Sequence, residues 1–178
     1  IYGVYINSYN STIEQRSLYL DNCKFDNSQR TSVSDPNRGT VLATNINCYN
    51  CTFSGSNSYD QTHLTIGYGI ITHCYFNRGL VICYPNKPIK FVGCDFINAA
   101  LAVYGVDSDY NLSFIDCSLK NQLFTSAFVL LYSAPSAIIA ARILTKNCHW
   151  DNNGIEESAL IKVDTSVSYT HLRAHETG

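Results

Sequence analysis

Apolar and polar positions alternate in short runs that come in pairs, and the pairs recur along the chain. Ile89-Lys90-Phe91 is one such run, Val92-Gly93 breaks it, and Cys94-Asp95-Phe96 resumes it. Alternation with period two predicts two short strands around a tight bend, each turning its first and third residues inward. The same reading fits Leu18-Tyr19-Leu20 with Cys23-Lys24-Phe25, and Leu112-Ser113-Phe114 with Cys117-Ser118-Leu119. Six copies of this phrase are centred on Cys23, Cys51, Cys74, Cys94, Cys117 and Cys148. Two residues after each cysteine stands a large apolar group: Phe25, Phe53, Phe76, Phe96, Leu119 or Trp150. Just before each stands Asn22, Asn50, His73, Gly93, Asp116 or Asn147, all types that tolerate a left-handed backbone better than most. The cysteines lie 28, 23, 20, 23 and 31 residues apart. A repeat near that period predicts a solenoid, in which each unit buries its apolar face only by stacking on the next.

A third strand is expected between phrases, at Val4–Ile6, Val41–Thr44, Leu64–Ile66, Leu80–Tyr84, Leu101–Tyr104, Phe128–Tyr132 and Leu160–Val163. The fold expected is all-β: a single-stranded parallel β-helix with three short strands per coil and about seven coils. Right-handedness is expected from the general chirality of parallel crossovers. Turns at Asn77-Arg78-Gly79 and Asn98-Ala99 are minimal, whereas 7–16, 26–39 and 54–62 read as longer polar excursions. The segment 134–142, small and apolar, reads as an extended turn.

Composition narrows the function classes. A near-neutral charge of −2 gives no reason to expect nucleic acid or an anionic membrane as partner. No apolar stretch approaches the ~20 residues of a membrane-spanning helix. Eight cysteines would suggest a disulfide scaffold. Six of them share one phase of the repeat, however, so the expectation is a stack of mostly free, buried thiols acting as small hydrophobes. Cys48 and Cys51 form a C-x-x-C, but Cys48 fills the slot that Leu20, Ile71, Phe91 and Phe114 fill elsewhere, which reads as core.

The repeated strings NCKFDN, NCTFSG, GCDFIN, DCSLKN and NCHWDN resemble the pectate-lyase-like right-handed β-helix superfamily, over Ile1 to about Asp164. The resemblance implies a carbohydrate-facing protein of the cell exterior, cell surface or virion, in the manner of tail spikes and secreted polysaccharide-active proteins, with homotrimer formation a feature of the tail-spike type. Fold analogy alone carries that implication. The strings Asn-Thr-Asp, Gly-His-Gly and Arg-Ile-Lys of the polygalacturonase-like members do not occur. Val167 to Thr177 resembles instead the translation of a transposase adapter used in sequencing libraries, so 166–178 is set apart as a non-native tail and 1–165 is read as a β-helix fragment truncated at both ends.

Chemistry is sparse. Asp107 and Asp109 form the best carboxylate pair, in the turn after Leu101–Tyr104. Hydrolysis of a glycoside wants two carboxyls ~5–10 Å apart, and an i, i+2 pair on extended chain supplies that spacing. The same pair suits oxygen-ligated calcium, or plain turn capping. Tyr84, Tyr104 and Tyr132 occupy equivalent strand ends and would form an aromatic strip for sugar rings or a ladder beside the core. Lys87 lies close by and suits an acidic sugar or open solvent. His63, His73 and His149 offer no converging metal set. The expected module binds, and in its stronger form cleaves, polysaccharide; the alternative is an adhesin or rigid spacer.

Overall fold

The computed structural model describes residues 6–8, 17–28, 41–55, 62–83, 87–104, 110–120, 129–132, 141–151, 161–163 and 173–176. Its strands are β1 (Ile6–Ser8), β2 (Ser17–Asp21), β3 (Lys24–Ser28), β4 (Val41–Tyr49), β5 (Thr52–Gly55), β6 (Thr62–Thr72), β7 (Tyr75–Cys83) and β8 (Ile89–Val92). They continue as β9 (Asp95–Tyr104), β10 (Tyr110–Ile115), β11 (Ser118–Lys120), β12 (Val129–Tyr132), β13 (Ala141–Lys146), β14 (His149–Asp151), β15 (Ile161–Val163) and β16 (Arg173–Glu176). Every pairing among them is parallel.

The pairings sort into three stacks, as the phrase predicts. The first strand of each phrase stacks on its own kind: β2, the second half of β4, the second half of β6, β8, β10 and β13. The cysteine-led strand forms the second stack, through β3, β5, the start of β7, the start of β9, β11 and β14. The third runs through β1, the first half of β4, the first half of β6, the ends of β7 and β9, β12 and β15.

Strand boundaries differ from expectation at the corners. β4 and β6 each join a third-stack and a first-stack strand, and β7 and β9 each join a second-stack and a third-stack strand. The minimal turns explain this. Arg78, Gly79 and Asn98 take positive φ (57°, 118° and 52°), and pairing resumes directly at Gly79 with Ala99. A one- or two-residue left-handed kink turns the chain without interrupting its ladder.

The bend of each phrase is left-handed throughout. φ lies at 52° for Asn22, 51° for Asn50, 52° for His73, 59° for Gly93, 53° for Asp116 and 51° for Asn147. Each bend N–H from the first to the fifth donates to the carbonyl just ahead of the next coil's bend, as Asn22 does to Tyr49 at 3.0 Å and Gly93 to Ile115 at 2.8 Å. Side chains extend the ladder where they are able. Asn50 donates to the Asn22 amide oxygen, and Asn147 Nδ2 donates to Asp116 Oδ1 at 3.0 Å. Between them Gly93 has no side chain, and the His73 ring covers it: a Cβ there would meet the imidazole at 3.2 Å.

The cysteines close these bends. Each Sγ donates to the carbonyl two residues back, for example Cys51 to Tyr49 at 3.3 Å, Cys74 to Thr72 at 3.3 Å and Cys117 to Ile115 at 3.3 Å. Cys94 and Cys117 also reach carbonyls of the preceding coil, at Ile71 (3.3 Å) and Phe91 (3.5 Å). All eight cysteines are free, and Cys23 and Cys148, at the two ends of the column, are the half-buried ones. Cys48 sits in register between Leu20 and Ile71, a core position.

Aromatic rings fill the interior as two columns. Phe25, Phe53, Phe76 and Phe96 stack in sequence at centroid separations of 4.9, 5.1 and 4.8 Å, nearly coplanar. Phe91 and Phe114 stack at 5.3 Å, and the two columns meet edge to face, Phe91 against Phe96 at 5.4 Å. Offset stacks of this kind add ~0.5–1.5 kcal/mol per pair beyond area burial. Leu119 and Trp150 continue the first column in register. The third stack is buried on its outer face too: Thr65, Ile82 and Ala102, in register, are all buried.

β16, within the segment set apart as a tail, pairs with β13 as the next parallel strand. An open sheet edge offers unpaired N–H and C=O groups to any extended segment, so that pairing does not depend on the repeat phrase.

Two inward positions depart from plain packing. Gly69 occupies the slot of Ile46 and Ile89 with φ 139°, and a Cβ there would lie 1.8 Å from the Ile46 carbonyl oxygen. His63 is fully buried against the Phe53 and Phe76 rings and bonds through Nε2 to the Arg78 carbonyl of the tight corner. Desolvation pushes its pKa down to about 4, so the imidazole is neutral in the fold.

These features predict stability effects. Phe76→Ala opens a cavity between two stacked rings and should cost ~3–5 kcal/mol in urea unfolding. Gly69→Ala should cost ~3 kcal/mol or more, because backbone and not a flexible side chain blocks the new Cβ. The unfolded chain binds a proton at His63 below the ordinary value of 6.5, whereas the folded chain resists it down to about 4. Stability should therefore fall on acidification through that window, by up to ~3 kcal/mol. Urea melts at pH 7 and pH 4.5, compared with His63→Gln, isolate this share: the variant should lose it.

Candidate functional site

With the inward positions committed to packing, the outward slots are where coils differ. On the second stack these slots hold Lys24, Thr52, Tyr75, Asp95, Ser118 and His149, and Lys24 pairs with Asp26 at 3.1 Å. The first stack is different. Its outer face carries the large exposed apolar side chains of the described residues: Tyr19 (73% exposed), Tyr49 (54%), Ile70 (46%) and Leu144.

Three of these four belong to one groove of about 430 Å³, lined by Tyr19, Asp21, Asn47, Tyr49, Ile70 and Thr72 over the edges of Leu20 and Cys48. Register explains the cluster. Tyr19 pairs with Asn47 and Asn47 with Ile70, while Asp21 pairs with Tyr49 and Tyr49 with Thr72. The six side chains thus form a two-by-three lattice over three coils. The two tyrosines sit on one diagonal, ~8 Å apart at the backbone from a 4.8 Å rung and two residues of rise. The polar pair Asp21 and Asn47 occupies the opposite diagonal.

Hydrogen bonds fix the polar groups. Asn22 Nδ2 donates to Asp21 Oδ1 at 2.7 Å, leaving Oδ2 as an acceptor for a ligand. The Ile70 N–H donates to Asn47 Oδ1 at 3.3 Å, leaving the amide NH2 as a donor. The His73 ring meets Tyr49 edge-on at 5.9 Å and props it from the bend side. Phenol faces, a carboxylate acceptor and an amide donor in a shallow wet groove are what a hydroxyl-bearing ring with apolar C–H faces requires.

None of the site residues singled out from the sequence is among the described groove lining. Tyr104 and Tyr132 pair in register at the end of the third stack, as a strip requires of its backbone. Tyr84 lies outside the described residues, just beyond Cys83, which pairs with Val103. Asp107 and Asp109 also lie outside them, between β9 and β10. Lys87 is exposed and its Nζ sits 4.9 Å over the Tyr68 ring, a cation–π contact beside the first stack and outside the groove lining. Among the described residues no group of three or more His, Cys, Asp or Glu converges as a metal site.

Sequence reading missed Tyr19 and Tyr49 because both occupy outward slots of the phrase, where any residue fits. A usable signal was present: an aromatic in the x position of apolar–x–apolar, repeated one phrase later with a shift of two.

Comparison with curated proteins and with solved structures returns no match. A family profile described as a right handed beta helix region matches residues 2–173. With the parallel three-stack winding, that match over nearly the whole chain places the protein in the right-handed β-helix family.

Proposed function

We propose that this β-helix module binds polysaccharide through the groove on the outer face of its first stack. The observation that carries this reading is the exposed Tyr19–Tyr49 diagonal crossed by Asp21 and Asn47. A solvent-facing tyrosine on a rigid strand holds a planar apolar face in place at little entropic cost, which suits the C–H face of a sugar ring. The parallel coil supplies the rigidity, since each strand beneath the groove is paired on both sides or stacked on the aromatic columns. On this reading the module works outside the cell or on a virion, where polysaccharide is met.

The uneven outer faces favour a binding surface over a spacer. A rod with no ligand has no use for a cluster of exposed large apolar side chains on one stack, Tyr19, Tyr49 and Ile70, when no outward residue described on the second stack joins them. The described groove lining holds one carboxylate, Asp21, and hydrolysis of a glycoside uses two. Binding is therefore the activity the described groove lining itself supports.

Tyr19→Ala and Tyr49→Ala should each weaken glycan binding about ten-fold, as expected for loss of one stacking face, and the double variant should abolish detectable binding. Calorimetric titration with glycans picked from an array measures this. Both side chains are exposed, so melting temperatures should stay within ~2 °C of wild type. Unchanged affinity in both single variants would remove the groove from the binding surface.

A further inference from the structure

We infer that the groove selects neutral polysaccharide and rejects polyuronates. The inference rests on the glycan-binding reading above and adds the charge class of the ligand. Three observations point the same way.

First, Asp21 is the only charged side chain among the described residues of the groove lining. It stands exposed beside Tyr49, in the same inter-coil pair, so a sugar stacked on that ring lies against the carboxylate. A uronate places one carboxylate on every sugar. Juxtaposing it with Asp21 sets like charges within a few ångströms, which is the arrangement that interfaces use to exclude wrong partners. A neutral sugar offers hydroxyl hydrogens there, and a carboxylate accepts them in charge-assisted bonds.

Second, the described cations near the groove are engaged or displaced. Lys24 is paired with Asp26 at 3.1 Å, and Lys87 sits over Tyr68. Lys90 follows Ile70 in the same outward column, one coil beyond the lining. No described cation stands opposite Asp21 to neutralise it, since its in-register neighbour on the next coil is Tyr49.

Third, the remaining polar groups match hydroxyls and not carboxylates. Asn47 presents an amide, Thr72 a hydroxyl and Tyr19 a phenol. Carboxylate recognition calls for an Arg fork or clustered backbone N–H groups. The Ile70 backbone N–H beside Asn47 is already used by Asn47 Oδ1.

The test titrates the full chain with hexamers of two kinds, a neutral set (cellohexaose, mannohexaose) and hexagalacturonate, at low and high salt. At least one neutral hexamer should bind at least ~10-fold more tightly than hexagalacturonate. The gap should narrow as salt screens the exposed charges. Asp21→Asn keeps an oxygen for Asn22 and removes the charge. It should weaken neutral binding several-fold and raise hexagalacturonate binding. Hexagalacturonate binding as tight as the neutral hexamers, or a gap that Asp21→Asn leaves unchanged, overturns the selectivity. If no hexamer of either class binds the folded protein, the glycan reading itself fails, a separate result from a reversed preference. Lys90→Ala distinguishes a polyuronate held outside the groove: hexagalacturonate binding that Lys90→Ala loses and Tyr19→Ala keeps leaves the groove's selectivity standing, whereas hexagalacturonate binding that Tyr19→Ala loses defeats the inference.

Discussion

The bend before each cysteine is the constraint on which the winding depends. A residue with φ near +52° reverses the chain between two short strands, and such a conformation costs ordinary side chains ~1 kcal/mol or more. Asn, Asp and Gly lower that cost, and the ladder of bend N–H groups to the next coil's carbonyls recovers part of it. Cysteine follows because the position needs a small inward side chain that reaches back to the carbonyl two residues earlier. Alanine would fit the space and leave the S–H contact unmade. Serine would make the contact and bury a stronger polar group among phenylalanines.

Once the bends are in register, the rest of the core has little freedom. The first residue after each cysteine points out and the second points in, so Phe25, Phe53, Phe76 and Phe96 must lie over one another at the rung spacing. That spacing is close to the contact distance of offset-stacked rings, so backbone pairing and ring stacking reinforce each other. The second column, Phe91 and Phe114, fills the adjoining wall where coils are wide enough for two rings. At Gly69 the Ile46 carbonyl leaves no space for a Cβ, and at the corner His63 satisfies the Arg78 carbonyl.

The inward half of this molecule was legible in the sequence because it repeats. Cys48 read as core from its slot alone, and the bend residues read as left-handed from their types. Corners were less legible. Arg78 has no special liking for φ of 57°, and only its pairing context, with Gly79 next to it, keeps β7 continuous through the turn. The groove was least legible. Tyr19 and Tyr49 are 30 residues apart and become neighbours only when a 28-residue coil sets their register. Outward slots carry no periodic constraint, so a functional aromatic there looks like one more variable residue. Tyr104 and Tyr132 stood out because they end strands, and the structure does pair them. Tyr104 follows Ala102, an outward slot that is already buried, which makes the end of the third stack a poorer platform than the open first stack.

Free thiols are compatible with the extracellular location proposed above for a kinetic reason. Disulfide exchange proceeds through the thiolate, and the ionised form has to exist inside the core for it to begin. Burial pushes the Cys83 thiol well up. Along the column the shifts alternate: Cys94 is held up by its bonds to the Cys117 and Cys74 thiols together with burial, and its bonds to those two help hold them below the ordinary thiol value. Neighbouring coils bring cysteines near enough in backbone terms for a bridge, but each S–H already serves a carbonyl, and a bridge would give up two such contacts at once. The column's exposed ends, Cys23 and Cys148, are where an oxidant would first find a sulfur. The interior sulfurs are screened from solvent for as long as the coils above and below stay wound, so the same stacking that positions the groove also shields the thiols from a dissolved oxidant.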